Sequence, residues 1–444
     1  MREVVRSRAL LTDRRFLNLW LSQGIGQTAQ NALLFSLLVV VLNITNSSIH
    51  TSILVFCFIL PSIPLGFAVG VILDRVNKEP VLVVTSLLRA AGAILFFFFH
   101  SDEWIIYGIS IGVATAGLFF SPAVVSLIPS VVPRDKLVSA NSLYNFTLTG
   151  SQLVGIAFVA PILLKSVGAD GMFLTAAAMF LIAALFAARV NVWKDKQEPA
   201  EPREGTNFSA MPTEFRESWR ALVSDKYSVL ALGHLILGSS LVLLFAILIP
   251  RYMKDVLEVA ADSAAFVFAP TGIGALVGLR FLPWFARFGK NRTVVIGLVG
   301  IAVCLALLAL VQPIENIWEK GPDELDPTNI LRISALQALV MAFAAPMGFF
   351  YALLNAPAQT VLHERAPPEM RGRIFATQVV SANFISLIPL LLVGAITDLL
   401  NITVVLLLLA GLLGVFAFIS ETVGSPEEEG GGGSGTRERE HAHT

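Results

Sequence analysis

The sequence predicts an all-α membrane protein, with twelve transmembrane helices in two pseudo-symmetric six-helix bundles and both termini cytoplasmic. Three observations carry that reading. First, 55% of the 444 residues are hydrophobic and 14% are charged, with a mean hydropathy of +0.74, whereas soluble domains hold roughly 25% charge. Second, apolar runs near the ~20 residues that cross a ~30 Å hydrocarbon core recur twelve times, and the roughly ten-residue alternation of a barrel strand does not occur. Third, the charged turn Gly70-Val-Ile-Leu-Asp74-Arg75-Val-Asn77-Lys78 returns in degraded form at residues 282 to 292. Centring a charge in the bilayer costs ~3 kcal/mol or more, so such a turn lies at the membrane surface.

The first run, 15–42, follows a basic start but extends well past a signal-peptide core without a small-residue cleavage site, so it is expected to stay as a spanning helix. Runs 50–73 and 80–99 flank the Gly70 to Lys78 turn. Runs 104–128 and 139–164 are parted by Pro133-Arg134-Asp135, and 171–190 completes a half. Residues 191–227 open with Asn191-Val-Trp-Lys-Asp-Lys-Gln-Glu-Pro and are polar, charged and Pro-bearing, which predicts a cytoplasmic linker. The second half repeats the plan at 228–250, 262–284, 293–312, 331–357, 373–397 and 401–420. The tail carries Glu427-Glu-Glu-Gly-Gly-Gly-Gly-Ser-Gly and reads as disordered. The expected domains are therefore residues 1–190 and 228–420 as bundles, 191–227 as linker and 421–444 as cytoplasmic tail.

Lys and Arg collect on the cytoplasmic side of membrane proteins, and here only Lys165, Arg251, Lys254, Lys320 and Arg332 fall on the opposite side, with Arg89 inside a span. Cys57 and Cys304 each sit alone in an apolar run, as buried fillers rather than part of a metal or redox motif. No metal site, cofactor or phosphate loop is expected, so ATP-driven transport by this chain alone is not either. The halves echo each other: Pro133-Arg134-Asp135 after the fourth run answers Pro367-Pro368-Glu369 after the tenth, and the Gly70 turn answers Leu282 to Lys290. A parallel repeat about an axis along the membrane normal is one plan of secondary transporters, with substrate at the midplane between halves.

The turn resembles Gly-x-x-x-Asp-Arg-x-Gly-Arg, the loop motif of the major facilitator superfamily, with Asn77 for the second Gly and Lys78 for the final Arg. Asn tolerates positive φ better than most residues. The chain resembles the superfamily from about Phe16 to Ser420, and within it the macrolide-efflux-like and enterobactin-exporter-like bacterial members. The carriers are Arg15-Phe16-Leu-Asn-Leu-Trp20-Leu-Ser-Gln23, Phe120-Ser-Pro122-Ala, Pro133-Arg-Asp-Lys-Leu-Val-Ser-Ala140-Asn141 and Pro368-Glu-Met-Arg371-Gly372-Arg373-Ile-Phe375. Two positions depart from the pattern. Gln27 stands where relatives often have an acid, and the fifth-span antiporter motif reads Gly155-Ile-Ala-Phe-Val-Ala-Pro161. In the family the loop stabilises the outward-facing state, and the resemblance implies that role for Gly70, Asp74, Arg75 and Lys78.

The residues themselves supply chemistry. A carboxylate such as Asp74 at a helix end can dock on the N-terminus of a facing helix and act as a latch between halves; the plainer reading is a topology signal. Arg89 lies nine residues beyond Pro80, roughly 13 Å deep at 1.5 Å per residue, and every acid falls in a loop, terminus or helix end. It must find carbonyls, water or an anionic substrate, or snorkel to the surface; a structural role is favoured over substrate binding. Gln23, Gln27 and Asn31 make one helical stripe, and Gln27, Gln30 and Asn31 reach mid-span, where a carrier binds substrate. Further candidates are Gln152 in the fifth run, Ser239 in the seventh and Asn383 in the eleventh, with interhelical hydrogen bonding as the alternative. His234 is the membrane-embedded side chain that titrates near neutrality, so it is the candidate for proton coupling or else a structural donor; the coupling role would otherwise fall to a rim acid such as Asp262 or Asp398. Phe343 and Tyr351, with Met341, Met347, Phe349 and Phe350 around Pro346, offer an apolar lining suited to lipophilic ligands.

The expected function is secondary active transport by alternating access, exporting a lipophilic small molecule (drug, macrolide or siderophore-like) coupled to protons. One alternative is a facilitator or importer of a polar metabolite. Another is a non-transporting receptor or embedded enzyme, but no nucleophile-base pair or metal cluster supports an enzyme. The expected partners are a small-molecule substrate, the lipid bilayer and protons, with no nucleic acid. The expected state is a monomer, multi-pass in a bacterial plasma (inner) membrane.

Overall fold

A computed structural model describes residues 13–133, 136–190, 211–259, 264–313, 335–365 and 371–424, and every regular element in them is helical. In the N-terminal half these are α1 (Arg14–Thr45), α2 (Ser48–Ile59), α3 (Ser62–Arg75), α4 (Lys78–Phe99), α5 (Glu103–Val131), α6 (Leu137–Val154), a π-turn (Gly155–Val159) and α7 (Ala160–Ala188). After them come α8 (Met211–Ser224), α9 (Lys226–Asp255), α10 (Ala264–Phe285), a short 3-10 turn (Ala286–Phe288), α11 (Lys290–Ala309), α12 (Ala335–Arg365), α13 (Arg371–Leu399) and α14 (Ile402–Gly424).

Polar residues set the ends of these helices. Asp13 Oδ1 accepts the amides of Arg15 (2.8 Å) and Phe16 (3.2 Å) and starts α1. Asn46, in the left-handed region at φ 51°, ends it and returns its N–H to the Leu42 carbonyl. Asp102 starts α5 in the same way, accepting from Trp104 and Ile105. Such caps satisfy amides that a helix leaves unpaired.

Among the described residues, eleven helices are long and apolar enough to cross a membrane. The expected fifth run is the one missing as a unit, because it is spread over α6, the π-turn and the first turns of α7. Gly168, at φ 69° and ψ −172°, then breaks α7 between the expected fifth and sixth runs. Two further expectations are refined. Helix α8 lies within the stretch read as linker, whose residues 191–210, like the tail beyond 424, fall outside the described part. Asn77 needs no positive φ: it precedes α4 with φ −67° and ψ 123°, an extended conformation open to any residue, so replacement of the motif glycine carries no backbone strain.

By contacts the chain divides into two compact units. One comprises Met1–Glu217, Ser239–Ala269 and Ala376–Ile402; the other comprises Ser218–Gly238, Pro270–Phe375 and Thr403–Thr444. In the first, α4 packs on α5 and α7, and α1 on α6 and α7. Near the start of α1, Phe16, Leu19, Leu73, Leu82, Phe120, Leu127 and Ala187 form a buried cluster. Gly155 brings the π-turn against α1, since a Cβ there would lie 2.7 Å from the Thr28 carbonyl oxygen and 2.9 Å from Asn31 Cβ. In the second, α11 packs on α12. Large apolar side chains such as Leu88, Phe98, Leu185, Leu412 and Phe418 remain exposed, as befits helices solvated by lipid.

Candidate functional site

Asn31 turns its amide to the Gln27 carbonyl of its own helix at 2.8 Å. Gln27 and Asn31 are half-buried, whereas Gln23 of the same stripe is fully buried with neither amide atom hydrogen-bonded among the described residues. Gln30 Oε1 is likewise buried without a partner there. Gln152 of α6 is exposed. The structure thus splits the stripe: Gln23 belongs to packing, and Gln27, Gln30 and Asn31 stay the candidates.

Arg89 has no exposed surface. Its guanidinium lies over the rings of Phe120 of α5 at 4.1 Å and Phe180 of α7 at 4.8 Å. Long hydrogen bonds run from Nε to the Thr85 carbonyl (3.4 Å) and from Nη2 to Ser86 Oγ (3.5 Å), while Nη1 has no hydrogen-bond partner among the described residues. Two aromatic faces therefore take the place of a counter-ion.

Three contacts of the first unit join residues from the two halves of the sequence. Asn383 Nδ2 donates to Ser62 Oγ at 3.4 Å. At the far end of α1, Asp398 of α13 accepts from Ser47 Oγ (2.5 Å) and from the amides of Ser48 (2.7 Å) and Ile49 (3.0 Å). Beside it, Arg251 Nη1 donates to the Asn46 carbonyl at 3.0 Å and Lys254 Nζ to Asn46 Oδ1 at 2.7 Å. Ser239 makes no such tie; its neighbour Ser240 bonds Ser386 Oγ at 2.6 Å.

In the second unit, His234 Nε2 meets Ser420 Oγ at 2.9 Å, and Ser420 in turn bonds Asn291. The imidazole also stands edge-on to Phe416. His234 borders a cavity of about 140 Å³ shared with Tyr227, Lys290, Asn291, Glu364 and Arg365. Lys290 is paired with Glu364 and Arg365 with Asp225. Burial pushes the Asp225 carboxyl up, but the hydroxyl and amide of Ser228, the Arg365 charge and the Tyr227 amide outweigh it and hold the group below the usual range. In α12, the Tyr351 hydroxyl accepts from Asn355 at 3.2 Å, and Phe343 and Tyr351 are half-buried.

Of the latch residues, Gly70 is exposed in α3 and Lys78 opens α4 half-buried; the side chains of Asp74 and Arg75 lie outside the described part. Sequence reasoning missed the pairing at Asp398 and the Asp225–Arg365 tie. Their signal was present only as charges at the ends of runs.

A family model described as Major Facilitator Superfamily matches residues 19–319, more than half of the chain. One described as Sugar (and other) transporter matches residues 209–430. The macrolide efflux protein A of Streptococcus pyogenes is 22% identical over 384 residues, which cover 79% of this chain and 91% of that protein. Among solved structures, the nucleoside transporter NupG superposes with a TM-score of 0.70 at 13% identity, over 93% of this chain and all of the other. The POT family transporter PepTSo does so with a TM-score of 0.66 at 14% identity, over 93% and 98%. Identities this low establish a shared fold.

Proposed function

The chain belongs to the Major Facilitator Superfamily and is a membrane transporter, not an enzyme; from that premise we propose that it is a secondary carrier working by alternating access, exporting a lipophilic small molecule from a bacterial cell across the plasma membrane. The observation that carries direction and substrate class is the likeness to a macrolide efflux protein along nearly that protein's whole length. The aromatic and Met-bearing stretch around Pro346 supports an apolar ligand. A polar solute is the second reading, favoured by the half-buried amides of Gln27, Gln30 and Asn31. In both readings the partners are the substrate and the bilayer, and the chain acts as a monomer.

Proton coupling is the finer part of the proposal, with His234 as the group to test. The test is accumulation of a lipophilic fluorescent dye in cells stripped of their own exporters, with and without this protein, before and after collapse of the proton gradient. Lower accumulation that recovers on collapse is the expected result; no difference would move the assignment to a polar metabolite. His234→Gln keeps an amide for Ser420 but does not titrate, and is expected to flatten the pH dependence of export. An unchanged profile would remove His234 from coupling.

A further inference from the structure

We propose that Asp398, Arg251 and Gly394 form a lock that holds the far ends of α1 and α2 against α9 and α13, and that this end of the transporter opens only when the lock is released. Helix α2 begins at Ser48, and the Ser47 side chain gives it no capping hydrogen bond. Asp398 supplies the cap from another helix, with one oxygen on the Ser48 amide and the other on the Ile49 amide and the Ser47 hydroxyl. A carboxylate in that place satisfies amides the helix leaves unpaired and meets the positive end of its dipole. Arg251 completes the arrangement. Its Nη1 stands 3.7 Å from Asp398 Oδ1 and donates to the Asn46 carbonyl, while Nε pairs with Asp255 on the same helix. The end of α1, the first turn of α2 and the ends of α9 and α13 are thus tied by one charge-assisted set.

Gly394, one turn before Asp398, makes the reach possible. A Cβ at that position would lie 2.1 Å from Ser52 Oγ and 2.8 Å from the Ser48 carbonyl oxygen, so α13 runs directly against the backbone of α2. The lock is also built to come apart. The Asp398 and Arg251 side chains are 25% and 17% exposed, so water can take over their hydrogen bonds when the helices part, which a dry apolar seam would not allow. Helices α1 and α2 come from one half of the sequence and α9 and α13 from the other, so this tie bridges the repeat. Its role in transport rests on the alternating-access reading; the tie itself rests on the distances.

The test places spin labels at Ile44 and Leu399, exposed positions at the ends of α1 and α13, in a background carrying Cys57→Ala and Cys304→Ala. The distance distribution is then read by pulsed electron paramagnetic resonance. The parent is expected to give mainly a short distance. Asp398→Asn and Arg251→Gln should each move the major population to longer distances, and Asp398→Glu should restore the short one. Distributions for both variants that overlay the parent would overturn the lock. If Asp398→Asn cannot be purified, Arg251→Gln, at the rim, decides alone. The measurement needs no substrate: a protein that shifts but exports no dye keeps the lock and loses the export assignment, and one that exports dye without shifting loses the lock alone.

Discussion

Arg89 shows how a charge persists within a span when no acid is available to it. The two phenyl faces suit a flat guanidinium, and an ammonium lacks both the plane and the reach to lie between them. Arg89→Lys is therefore expected to lower stability in detergent by on the order of 1–2 kcal/mol, read as a drop in melting temperature, with dye export per folded molecule unchanged. Lost export at unchanged melting temperature would make Arg89 a substrate ligand instead. The sequence placed this residue at depth and left its partner open, because Phe120 and Phe180 are two among many phenylalanines and only the packing of α4, α5 and α7 selects them. The same holds for Gln23 and Gln27: one periodic stripe put them together, and small differences in helix rotation make one core and leave the other half-buried.

Helices were legible wherever hydropathy alone defines them. Composition hid α8, whose apolar residues Phe215, Trp219 and Leu222 recur at helical spacing inside a charged stretch. It also hid the division of the fifth run, since a π-turn adds a residue without changing hydropathy. At the start of α9, Asp225 accepts from the Ser228 amide at 3.1 Å and hydroxyl at 2.8 Å and pairs with Arg365, which lies over Tyr227. The carboxyl is held below its usual range, so its contribution is fully present above the ordinary carboxylate pKa and fades only as pH falls through the lower folded value. Asp225→Asn keeps a capping oxygen but loses the charge facing Arg365, so it should cost at most about 1 kcal/mol at pH 7, and the gap from the parent should close only under strongly acidic conditions. A gap that varies between pH 6 and 8 would mean that another group is responsible.

For the molecule as a whole, composition, the repeated loop and the side preference of Lys and Arg were enough for the fold, and the family match agrees. The contacts that bridge the two halves were not legible, since Asp398 and Ser48 are far apart in the chain and nothing local in either marks the other. The loop at Asp74 is the complementary prediction: Asp74→Asn should slow export severalfold at unchanged membrane abundance, and parental rates would reduce the motif to a topology signal. The buried stack at Arg89 also bears on how the protein is made. The ribosome delivers α4 before either of the rings that receive its charge, so the guanidinium enters the membrane without them. Phe180 lies close to the end of α7, which means the first half reaches its stable arrangement only after almost all of it has been synthesised. A chain truncated before that ring should be recognised as unfinished and degraded.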